Sequence, residues 1–193
     1  MSTPRRLTRG KSRLFRRVAL GWLAVAFTAA CGASSASLVF AEGTPSDLQD
    51  LGLEVWADFL EAFPNQAGCI GEVTLEGDWT LEGSRAYYLP EDAKVVLEIP
   101  ATAPHLRHSL VHELAHHVEH ACADHVELRE AFLKAQNVPA DTPWFEGPSW
   151  EETPSEQYAE AVVRLVLSRP VMHYRLSLAP ESIEAIKKWG GGR

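Results

Sequence analysis

Apolar residues recur along this chain with two periods, and the change between them divides it. From Thr44-Pro45-Ser46-Asp47 onward, Leu48, Leu51, Val55, Phe59, Leu60 and Phe63 return every three or four residues, the spacing of one helix face. The pattern predicts a helix capped by Thr44, with Pro45 in its first turn, that stops at Pro64-Asn65. Between Cys69 and Pro100 the period shortens. "CIGEVTLEG" alternates apolar and polar residues, "SRAYYLP" is short and aromatic, and "AKVVLEIP" is rich in β-branched side chains. These read as three short strands, with turns at Gly77-Asp78, Gly83-Ser84 and Glu91-Asp92.

Helical spacing returns after Pro104, where Leu106, Leu110, Val111, Leu114, Ala115 and Val118 form an apolar stripe. Val126 to Gln136 reads as a further short helix, and "NVPADTPWFEGPSWEETP" as a long loop. Another helix starts at Thr153-Pro154-Ser155-Glu156 and carries Ala159, Val162, Val163 and Val166 toward Ser168. The last predicted helix runs from Pro180 to Trp189, with Lys187 and Lys188 in its final turn and Gly190 as its stop. Residues 190–193 read as a disordered tail. Strands followed by helices, without repeats, predict one α+β domain with a short antiparallel or mixed sheet.

Composition sets the N-terminus apart. The first 41 of 193 residues hold seven Lys/Arg and no Asp or Glu, and Val18 to Ala41 is an uncharged, mostly apolar run. This is the make-up of an export signal, with Val39-Phe40-Ala41 as a cleavage site and Glu42 as the first mature residue. Two other readings remain open. The 24 uncharged residues are long enough to anchor the chain in a bilayer ~30 Å thick. Thr28-Ala29-Ala30-Cys31 also resembles a lipoprotein box, with Cys31 lipidated. Each predicts an exported protein, secreted or held at the cell envelope, that meets a membrane only through this segment. The domain expected over residues 42–193 keeps 11 Lys/Arg against 26 Asp/Glu, a net charge of −15. That acidity excludes a nucleic-acid partner, whose phosphates demand a basic footprint. Cys69 and Cys122 remain, and export predicts that they pair as a disulfide.

The chemistry lies in the apolar stripe after Pro104. Seven of the eight histidines fall between His105 and His125, and the segment contains His112-Glu113-Leu114-Ala115-His116. Residues four apart share a helix face, so both imidazoles can reach one tetrahedral ion at ~2.0–2.1 Å. Glu113 lies about 100° around the helix, badly placed as a ligand but able to reach a water on the ion. This is the mechanical content of the H-E-x-x-H pattern. The competing reading is a solvated, histidine-rich helix face. Cys122 lies about 15 Å along an unbroken helix from His112 and cannot share the ion. His105, His108, His117, His120 and His125 are read as non-ligands. A third ligand must come from elsewhere, and "TPSEQYAEAVV" offers Glu156 and Glu160 on one face. Thr153-x-x-Glu156 is also a capping box, which would occupy Glu156 with backbone instead.

His112, Glu113 and His116, followed by Glu156-Gln157-Tyr158-Ala159-Glu160, resemble the gluzincin zinc metallopeptidases, and most closely small domains of the anthrax lethal factor type. The likeness covers roughly Lys94 to Ser168. It implies a zincin-like fold in which a short sheet packs on the histidine helix and a following glutamate helix. It implies one zinc ion held by His112, His116 and Glu156, with Glu160 bonded to a ligand histidine and Glu113 as general base. It also implies a peptide or protein substrate lying along an edge strand supplied by "AKVVLEIP". The family pattern places a tyrosine seven residues before the ligand glutamate to assist the oxyanion. Here that position is Ser149, which leaves Tyr158, Tyr174, His173, Tyr87 and Tyr88 as candidates. Two alternatives stand beside this expectation: a non-catalytic zinc-binding or degenerate peptidase domain, and a metal-free interaction domain at the cell surface. Trp144, Phe145 and Trp150 would either line a substrate cleft or cover helix ends.

Overall fold

The computed structural model of the chain describes residues 36–167 and 176–192. The basic start, Cys31, His173 and Tyr174 lie outside the described residues. Within them the protein is α+β, with a mixed four-stranded sheet and six helices. Strand β1 (Ser37–Phe40) leads into α1 (Ser46–Ala62) and the single turn α2 (Ala67–Ile70). Strands β2 (Glu72–Asp78), β3 (Ala86–Leu89) and β4 (Lys94–Glu98) follow. Helices α3 (Ala103–Ala121), α4 (His125–Ala135), α5 (Pro154–Val166) and α6 (Pro180–Gly190) complete the order.

The sheet runs β1-β2-β4-β3. β1 and β4 both lie parallel to β2, whereas β3 lies antiparallel to β4, with Tyr88 opposite Val95. Two expectations are corrected here. Strand β4 is interior, because its Val95, Val96 and Leu97 are too apolar to leave at an edge. The edge strand that faces α3 is β3 instead. The other correction concerns Ser37–Phe40, which the sequence reading assigned to the leader. These residues pair with Glu72–Leu75, and Leu38 and Phe40 pack on the core. Helix α1 lies so close to them that a Cβ on Gly52 would meet Leu75 at 2.8 Å and Phe40 at 3.3 Å.

Helices α1, α3 and α5 pack together, and α1 and α3 also contact the sheet. The core joins Val55 and Phe59 of α1, Leu75 and Leu97 of the sheet, Leu110 and Leu114 of α3, and Val162 of α5. Cys69 on α2 and Cys122 at the end of α3 form the expected disulfide, closing a separation of 53 residues. The predicted caps are not made. The Thr44 hydroxyl donates to the carbonyls of Ala41 and Leu75, and that of Thr153 to Ser149. At the C-terminus, Gly190 is still helical and its carbonyl accepts the Asn65 N–H at 3.0 Å. Gly191, at φ +78°, is the actual stop. Gly191 and Gly192 lie against Asn65 and Ala62 rather than forming a loose tail.

Candidate metal centre

Helix α3 presents His112 and His116 one turn apart because its other face is committed to the core through Leu110, Leu114 and Val118. Helix α5 crosses beside it and brings Glu156 and Glu160 from its first two turns. The Nε2 atoms of His112 and His116 are 3.1 Å apart. Glu156 Oε2 lies 2.9 Å from the first and 3.5 Å from the second. Three ligand atoms on a tetrahedral ion bound at ~2.0–2.1 Å would stand about 3.3 Å from one another. The observed triangle is close to that figure, so these three groups can hold one metal ion.

The remaining ring nitrogens are also fixed. His112 Nδ1 donates to Glu160 Oε1 at 3.0 Å, and His108 Nε2 donates to the same oxygen at 2.9 Å. His116 Nδ1 donates to Glu119 Oε1 at 2.7 Å. The one-turn ambiguity between Glu156 and Glu160 is thereby resolved. Glu156 reaches the Nε2 side, and Glu160 backs His112 from behind. Because Thr153 leaves the cap unmade, Glu156 is not drawn into a capping box.

Burial disfavours a charge on either imidazole, yet the carboxylates outweigh it. Bonds to Glu156 and Glu160 carry His112 up to about 9, and bonds to Glu119 and Glu156 carry His116 up to about 10. Burial also pushes Glu156 upward, but the two imidazoles hold it down at about 2. Protons would therefore compete with a cation for these nitrogens, and metal uptake would release them. Glu113 differs from its neighbours. It is nearly buried, lines the cleft and belongs to no metal-ligand group. Burial raises its pKa, and no hydrogen bond engages its carboxylate among the described residues.

The site opens into a cleft of about 650 Å³, walled by β3 on one side and by the loop before α5 on the other. Trp150 stacks on the His112 ring at 5.9 Å, and Phe145 stacks on His120 at 5.3 Å. Both are substantially exposed in the cleft, whereas Trp144 is buried behind it. The aromatic loop thus lines the cleft with Phe145 and Trp150 and packs Trp144 against Phe132 of α4 and Tyr158 of α5.

Among the described residues, the remaining histidines belong to no metal-ligand group. His117 Nε2 donates to the Ile70 carbonyl at 2.7 Å, leaving Nδ1 to accept from the Tyr88 hydroxyl at 2.9 Å. That pair ties the edge strand to α3 and commits the Tyr88 hydroxyl. Tyr158 must be withdrawn as an oxyanion donor. It is fully buried among His125, Phe132 and Trp144 and does not line the cleft. Its side chain points to the far face of α5 from Glu156, as a two-residue offset on a helix requires. Sequence reasoning missed Glu119, although His116-x-x-Glu119 places both residues on one helix face.

No family model, curated protein or solved structure matches this chain.

Proposed function

We propose that the protein is a zinc-dependent peptidase of the gluzincin kind, with a zincin-like arrangement of sheet, histidine helix and glutamate helix. The observation that carries this reading is the ligand triangle of His112, His116 and Glu156, with the unengaged carboxylate of Glu113 beside it. Two nitrogens and one carboxylate oxygen form a donor set suited to zinc. When bound, zinc supplies a Lewis acid that lowers the pKa of a water toward ~7 and polarises a carbonyl. The residues of the chain do the rest. Glu113 takes the proton of the attacking water at its carboxylate and delivers it to the leaving amine. Its raised pKa suits both halves of that transfer. Edge strand β3 lines the cleft, where its outer side can take an extended peptide.

The test is Glu113→Gln. The variant is expected to bind zinc as the wild type does and to hydrolyse a responsive peptide about 10²–10⁴-fold more slowly. Equal rates would end the mechanism, and an absence of zinc from the wild type would end the site. A second reading, a non-catalytic metal-binding domain, is favoured by one observation. The Ser149 hydroxyl donates to Glu152 and that of Tyr158 is sunk in the core, so neither assists an oxyanion. Tight zinc binding with no hydrolysis across a diverse peptide library would select it.

A further inference from the structure

One buried carboxylate at the site has no part in the mechanism above. Glu119 lies three residues beyond His116 on α3 and is 4% exposed. Its Oε1 accepts from His116 Nδ1 at 2.7 Å and from the Ser155 hydroxyl at 2.8 Å. Its Oε2 accepts from the Trp144 indole N–H at 2.7 Å. These donors arrive from three segments: α3 itself, the first turn of α5, and the loop between α4 and α5. Sinking a carboxylate this deep is costly unless its oxygens are well bonded. Its two oxygens satisfy three donors that an apolar residue would leave unpaired, and one of those donors is the Nδ1 hydrogen of His116.

We propose that Glu119 is a positioning residue of the metal centre. It fixes the His116 ring through Nδ1, which keeps Nε2 as the free donor and aims it at the point shared with His112 and Glu156. A carboxylate on the far nitrogen also makes an imidazole a stronger ligand. The same side chain acts on a second ligand through its neighbour. Ser155 precedes Glu156, so the Glu119–Ser155 bond ties the helix bearing both histidines to the turn that presents the glutamate. The arrangement mirrors the one at His112, where Glu160 holds Nδ1. There the carboxylate comes from α5, and here it comes from α3. The inference rests on the metal-binding half of the peptidase reading and not on hydrolysis.

The experiment compares zinc affinity, by competition with a chromogenic chelator, for wild type, Glu119→Gln and Trp144→Phe. The urea stability of each metal-free protein is measured alongside. Gln keeps the shape but sets an amide N–H₂ against a donor, so Glu119→Gln should bind zinc about 10–100-fold more weakly. Trp144→Phe removes the indole contact and spares the His116 bond. It should lose stability while staying within about threefold of wild-type affinity, the margin left after sparing the ring's own partner. Wild-type affinity in Glu119→Gln would overturn the inference. So would an equal loss in Trp144→Phe, which would trace the effect to packing. If Glu119→Gln does not fold, nitrogen-correlated NMR of the zinc-loaded wild type decides. His116 should appear as the Nδ1–H tautomer with a hydrogen-bonded, slowly exchanging ring proton, and any other tautomer refutes the assignment. A wild type with no zinc affinity refutes the site and this inference together, whereas zinc binding without hydrolysis leaves the inference standing.

Discussion

His125 is fully buried in the aromatic core, and its position should make the fold lose stability to acid in a defined window. Its ring stands edge-on to Trp144, Tyr158 and Trp189, with centroids at 5.6, 4.6 and 5.5 Å. Arg129 Nε donates to its Nδ1 at 3.2 Å, which requires a lone pair there and hence a neutral ring. Burial is the largest influence and pushes its pKa down to about 4 from 6.5. Among the charged groups facing it, Arg129 and His120 add to the depression, while Glu119 and Asp124 oppose it. As pH falls, the unfolded chain takes up this proton near 6.5, whereas the folded chain resists until about 4. Between those values the unfolded state binds more protons. The stability is therefore present above 6.5 and lost on the way down to about 4. At ~1.4 kcal/mol per unit, about 3 kcal/mol disappears across the window, a large share of an ordinary 5–15 kcal/mol. Urea unfolding through this range, for wild type and His125→Phe under chelation, isolates the effect because the other titrating groups are common to both. The stability difference should shrink by about 3 kcal/mol from the top of the window to the bottom. Parallel curves would refute the reasoning, as would an NMR titration that finds an ordinary imidazole.

Tyr158→Phe should leave peptide hydrolysis unchanged and cost little stability, because the hydroxyl is buried without a hydrogen-bond partner among the described residues. A large drop in kcat would return Tyr158 to the cleft. Replacing Cys69 and Cys122 together by Ala should cost roughly 4 kcal/mol for a 53-residue closure, and an unmoved urea midpoint would contradict that. A chain begun at Glu42 should be less stable than one begun before Ser37, since it lacks β1 and the packing of Leu38 and Phe40 on α1. Mass spectrometry of an exported product should correspondingly find its N-terminus upstream of Ser37. Cleavage after Ala41 in a stable product would count against a role for β1.

The sequence by itself determined whatever one element decides internally. Helical periodicity located α1, α3, α4, α5 and α6 to within a few residues. The spacing of His112 and His116 put two imidazoles on one face because a helix repeats every 3.6 residues. The offset of Glu113 followed from the same geometry. Tertiary structure decided everything that depends on how two elements are rotated and staggered against each other. Glu156 and Glu160 share a face of α5, so no local rule says which turn meets the Nε2 atoms; the depth of the α3–α5 crossing does. Tyr158 is an aromatic residue between two candidate site carboxylates, and only the crossing shows that it faces the core. The edge position of β3 and the use of Ser37–Phe40 as a strand are pairings between distant segments, invisible to periodicity. Glu119 sits between the two cases. Its bond to His116 was within reach of the three-residue spacing, but its partners Ser155 and Trp144 come from segments that only the folded chain brings together.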